Sequence, residues 1–136
     1  MISTEEKNAL AAYRLQRAHE TFIEAKRNVE MKLWHAAANR LYYACYYAVL
    51  GLLIKNGHSS RTHKGVFILF GLYFVTPKII NNEQNKFFRK LFDIRQGGDY
   101  DDWFYIDEED VLPLVEPAEE FIKTIENLIN NNNLTQ

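Results

Sequence analysis

The chain has 136 residues and a net charge of −2 at pH 7, with 47% hydrophobic and 25% charged residues. That length suits one domain with one core, and the near-neutral balance excludes a global attraction to nucleic acid, leaving only local patches. The lone Cys45 excludes an internal disulfide.

No basic segment followed by an apolar stretch opens the sequence, and no run of about 18 apolar residues occurs. A soluble, cytoplasmic protein without a membrane partner is therefore expected. Nine Phe, eight Tyr and two Trp predict a core thick with rings or an aromatic subunit interface.

Helical periodicity runs throughout. Ser3 and Glu6 form a capping-box pattern before a stripe of Ala11, Leu15, Ala18, Phe22, Ala25 and Val29, the seam of a long helix. A second helix is predicted from Trp34 to Asn56, stopping at Gly57. It carries three apolar stripes: Leu41, Ala44, Cys45, Ala48 and Leu52; Tyr42, Tyr46, Val49 and Leu53; Tyr43, Tyr47, Leu50 and Ile54. One small bundle cannot cover all three, which predicts a homodimer.

A third segment, Thr62 to Val75, is predicted helical because no second strand exists to pair with it, and it ends before Pro77. The fourth helix is predicted over Glu83 to Gln96. It carries Arg95 on the stripe of Phe88, Leu91 and Phe92, with Gly97 and Gly98 as its break. A guanidinium on an apolar stripe must be paired or used, and Asp99 and Asp101 are the nearest carboxylates. The last helix is predicted from Asp107 to Asn130, with Pro113 and Pro117 delaying or kinking its start. Residues 1–130 read as a single helical domain and 131–136 as a polar tail.

Motif searches exclude several chemistries. Neither a phosphate-cradling glycine loop nor a paired-histidine or paired-cysteine metal motif occurs, so neither metal nor cofactor is expected. The acidic run from Asp99 to Asp110 lacks the alternation of a calcium loop. His19 and His35 read as surface residues; His58 and His63 flank a small basic loop holding Lys55, Arg61 and Lys64, a candidate phosphate contact.

Three segments in order then carry a resemblance: Asn39-Arg40-Leu41-Tyr42-Tyr43-Ala44-Cys45-Tyr46, Thr62-His63-Lys64-Gly65-Val66, and Arg95 followed by Gly98-Asp99-Tyr100. Together the sequence resembles the HEPN domain family over nearly its whole length. The resemblance implies an all-α, up-and-down bundle of about five helices that forms homodimers. Many members accompany a small nucleotidyltransferase in toxin–antitoxin modules; others are metal-independent ribonucleases.

The ribonuclease branch uses an arginine followed four to six residues later by a histidine. Arg95 takes the arginine position, but the histidine would fall at Asp99, Tyr100 or Asp101. An aspartate is a poor general base near pH 7, so little ribonuclease activity is expected of the chain alone. Arg95, Asp99 and Tyr100 are the candidate catalytic residues, and Asn39, Arg40, His63 and Lys64 the candidate ligand or phosphate contacts. His63, distant in sequence, is not expected to reach Arg95. Three functions are weighed: a homodimeric module binding a nucleotidyltransferase partner protein, RNA or a nucleotide; an endoribonuclease toxin with a divergent site; and a structural bundle.

Overall fold

Five α-helices, α1 (Thr4–Glu30), α2 (Trp34–Lys55), α3 (His63–Phe70), α4 (Asn82–Tyr100) and α5 (Glu108–Asn130), form the computed structural model, with a π-helical turn at Gly71–Val75 after α3. Residues 2–100 and 105–131 are described, the side chains of Asp99 and Tyr100 excepted. Among the described residues no strand occurs.

The capping box at α1 forms as predicted: Ser3 N–H donates to Glu6 Oε1 at 3.0 Å, and Glu6 N–H to Ser3 Oγ at 3.1 Å. These bonds hold the Glu6 carboxyl below its ordinary pKa. The α1 seam is buried from Ala11 to Ala25. Its alanines meet Ala37, Ala44 and Ala48 of α2 in the core, so the two backbones approach closely. At Gly51 a Cβ would stand 3.1 Å from the Ala11 carbonyl oxygen and 3.3 Å from Arg14 Cβ, a spacing a larger side chain would force apart.

The second helix is the central one. Its first two stripes are buried, whereas Tyr43, Tyr47, Leu50 and Ile54 are only partly covered. It ends on Asn56, and Gly57 takes φ +84°, the left-handed cap expected there. The Cys45 thiol is fully buried, and desolvation raises its pKa. No described helix is long and apolar enough to cross a membrane.

Three local expectations are corrected. The third segment is α-helical only to Phe70; the Thr76 N–H then reaches the Gly71 carbonyl, five residues back, at 2.8 Å. Gly97 and Gly98 do not break α4, which runs on to Tyr100. A Cβ on Gly98 would lie 2.7 Å from Ile106 Cδ1 and 3.3 Å from His35 Nδ1, so this glycine lets its neighbours approach the helix. Finally, α5 starts before its prolines. Asp107 caps it, accepting from Glu109 N–H at 3.1 Å, and three acids in the first turn complement the helix dipole. Pro113 and Pro117 sit four apart on the exposed side, where water can take the carbonyls that their missing N–H groups release.

Candidate functional site: an arginine and a histidine on a tyrosine face

Helix α2 places Tyr42, Tyr43, Tyr46 and Tyr47 at i, i+1, i+4 and i+5, giving two neighbouring rows of rings. Tyr42 is wholly buried, stacked on Phe88 at 6.0 Å and tilted on Phe92 at 5.5 Å. Burial raises the pKa of its phenol, so the hydroxyl keeps its proton at any ordinary pH. Tyr46 is raised for the same first cause.

His63 is delivered to these rings by a capped helix start. Thr62 Oγ1 accepts from Gly65 N–H at 2.9 Å, and Ser60 Oγ accepts from Thr62 N–H at 3.2 Å. Any Cβ at Gly65 would run into Ser60 and Thr62, so glycine is what allows the tight capping turn. His63, the first residue of α3, stacks on Tyr46 with centroids 4.5 Å apart, and its Nδ1 lies 2.6 Å from the Tyr42 hydroxyl. Desolvation, and secondarily the Arg95 charge, hold its pKa below the usual imidazole value.

From the opposite side α4 supplies Arg95, buried to 9% exposure on the Phe88–Leu91 stripe. Its Nη2 donates to the Tyr43 hydroxyl at 2.9 Å, and the guanidinium lies 5.1 Å from the Tyr43 centroid and 5.8 Å from that of Tyr42. The burial expected of Arg95 is present. The bond described is to the Tyr43 phenol; the carboxylates expected to pair with Arg95, the Asp99 side chain and Asp101, lie outside the described residues, as does the Tyr100 side chain.

Arg40 covers Tyr43 from α2 itself, 5.4 Å from the ring centroid. Asn39 Oδ1 accepts from its Nη2 at 2.7 Å, and Glu24 accepts from Nη1 at 3.5 Å. Thus His63 and Arg95 converge on Tyr42 and Tyr43, Arg40 lies on Tyr43 with Asn39 holding its guanidinium, and the expectation that His63 stays apart is corrected. Lys64 is exposed instead and lines an adjoining cleft of about 450 Å³ with Phe67, Ile68, Arg89, Phe92 and Asp93.

His19 sits at the surface as expected, within 3.1 Å of Glu126, while His58 stacks on Tyr73 at 3.8 Å. Among the described residues no cluster of three His, Cys, Asp or Glu side chains could hold a metal ion. The tyrosines themselves were the residues not nominated from sequence. Their signal was present: four hydroxyls on an otherwise apolar helix must each reach a partner or water.

An arginine and a histidine set among aromatic rings on an all-helical bundle suit the recognition of a phosphate or a base. The chain belongs to the HEPN domain family, whose model matches residues 11–128. A UPF0332 protein of Thermotoga maritima is 36% identical over 126 residues, 93% of this chain and 96% of that one. Two Methanocaldococcus jannaschii proteins named as candidate toxins are similar as well. One is 34% identical over 83 residues, 61% of this chain and 62% of its own, and the other 28% over 115 residues, 83% and 78%. The crystal structure of TT1696 from Thermus thermophilus shares the fold, with a TM-score of 0.73 at 15% identity, covering 87% of this chain and 97% of that one. The family is thus HEPN, with toxin-like relatives.

Proposed function

We propose that this protein is a homodimeric HEPN module of a toxin–antitoxin-like system. It acts with a nucleotidyltransferase partner protein, and its Arg95–His63 cluster holds the phosphate of RNA or of a nucleotide without cutting it. The observation that carries this reading is the convergence of Arg95 and His63, 32 positions apart in the sequence, on the rings of Tyr42 and Tyr43. A buried guanidinium supplies a permanent positive charge, and the partly exposed rings of Tyr43 and Tyr47 are open to a base. The half-covered stripe of Tyr43, Tyr47, Leu50 and Ile54 includes the tyrosine that Arg95 bonds and supports a second copy there. The relatives named as toxins support the cellular setting.

Growth on induction tests this reading, with and without the adjacent nucleotidyltransferase gene if one is present, alongside RNA binding by the purified protein. Growth arrest relieved by the neighbour and lost in Arg95→Ala is expected; wild-type protein that binds neither RNA nor nucleotide would refute the reading. A second reading, an endoribonuclease toxin, is favoured by the imidazole beside Arg95. Robust RNA cleavage in the presence of chelator, abolished by Arg95→Ala or His63→Ala, would establish it in place of the first.

A further inference from the structure

The hydrogen bond between Tyr42 and His63 decides which nitrogen of the imidazole carries the proton. Tyr42 is wholly buried, and its phenol proton has to be donated somewhere, because an orphaned buried hydroxyl is costly. Among the described residues the acceptor within reach is His63 Nδ1, at 2.6 Å. An Nδ1 that accepts from a hydroxyl cannot carry a proton, so the neutral ring bears it on Nε2. The alternative, a doubly protonated ring, would put a second positive charge beside Arg95 on the same two tyrosines. The stacking on Tyr46 fixes the ring plane, and His63 remains half-exposed.

We propose that His63 is a hydrogen-bond donor of fixed tautomer, its Nε2–H binding an oxygen of a ribonucleotide phosphate beside the positive charge of Arg95. This deepens the reading given under Proposed function and rests on it. It also assigns the imidazole a role opposite to that of a general base. A neutral ring already protonated on Nε2 has no lone pair there with which to take a proton from a ribose 2′-hydroxyl. The histidine and the arginine together therefore hold a phosphate rather than open its ester bond. The phosphate chemistry has two sources, the backbone diester of an RNA and the terminal monoester of a free nucleotide.

The test uses the full-length protein. Nitrogen-15 NMR of the imidazoles near neutral pH should show His63 as the Nε2–H tautomer, with the Nδ1–H form appearing in Tyr42→Phe. An Nδ1–H ring in the wild type would overturn the proposal. In parallel, binding of a short single-stranded RNA is followed by fluorescence anisotropy, with a nucleoside monophosphate as competitor. His63→Ala should weaken binding roughly ten- to a hundredfold, the weight of one hydrogen bond to a charged group. His63→Gln, whose amide N–H stands near the place of Nε2–H, should recover most of that loss. Competition by the monophosphate assigns the site to a terminal phosphate, and its failure to compete assigns the site to the RNA backbone. Wild-type affinity in His63→Ala overturns the donor role while leaving the functional reading intact, whereas a wild type that binds neither probe overturns both.

Discussion

Replacing Arg95 separates two accounts of what a buried guanidinium contributes. Among the described residues, three contributions are lost in Arg95→Ala. One is the Nη2 bond to Tyr43, in the range of about 1.5–3 kcal/mol for a charge-assisted bond. Another is two cation–ring contacts, roughly 0.5–1 kcal/mol each. The third is the packing of the aliphatic stem of a side chain that is only 9% exposed. Against these stands the relief of burying a charge, several kcal/mol in its own right. Tyr43 is half-exposed, so water can satisfy its hydroxyl once Arg95 is gone, and the lost bond is largely replaced. Packing then dominates among these contacts, and Arg95→Ala should cost at least about 2–3 kcal/mol, near the lower end of large-to-small core changes. Arg95→Met refills the space without the charge and should recover the packing part of that loss. Urea denaturation followed by far-ultraviolet circular dichroism measures both. An Arg95→Met protein no more stable than Arg95→Ala would refute the reasoning, because packing is the part that methionine restores.

Gly65→Ala should lower the stability by about 2–4 kcal/mol, combining a lost helix cap with an overlap against Ser60 and Thr62; a thermal midpoint equal to wild type would contradict this. His63 has a folded pKa below its unfolded value, so the unfolded chain takes up the proton first. Stability is then complete above the usual imidazole range and falls as pH drops from about 6.5 through the lowered value. His63→Gln should flatten that slope, and parallel midpoint–pH curves for the two proteins would disprove the assignment. In light scattering at micromolar concentration the protein should run at twice 16.0 kDa, and Leu50→Arg, on the half-covered stripe, should shift it towards the monomer. A wild-type species of 16.0 kDa alone would exclude the homodimer.

Helix identities and most helix ends were legible because their determinants are local. Ser3 and Glu6 cap within one turn, Gly57 sits where a left-handed cap is needed, and the seam of α1 repeats at three and four. Arg95 was legible as a buried charge for the same reason, since its stripe lies on its own helix. Its bond to Tyr43 was not, because that phenol comes from the central helix, 52 positions away. His63 was misplaced for a related reason: its neighbours Lys55, Arg61 and Lys64 describe a solvated loop, while its own ring is drawn under α4 by Tyr46 and Phe92. Gly98 carried an ambiguous signal. A glycine pair after an amphipathic run signals a stop, and only the positions of Ile106 and His35 reveal one that serves packing.

The π-helical turn at Gly71–Val75 makes the length of this segment adjustable. A π-turn accommodates one residue more than an α-helical ladder would in the same rise, and here Leu72, 55% exposed, lies in the surplus. Removing one residue would let the chain rewind as ordinary α-helix. Phe74 would then follow Phe70 by three positions instead of four, still on the buried side. Where related chains differ in length by a single residue, the gap in an alignment has a physical home between Gly71 and Val75, and it can open or close there without disturbing the rings beneath.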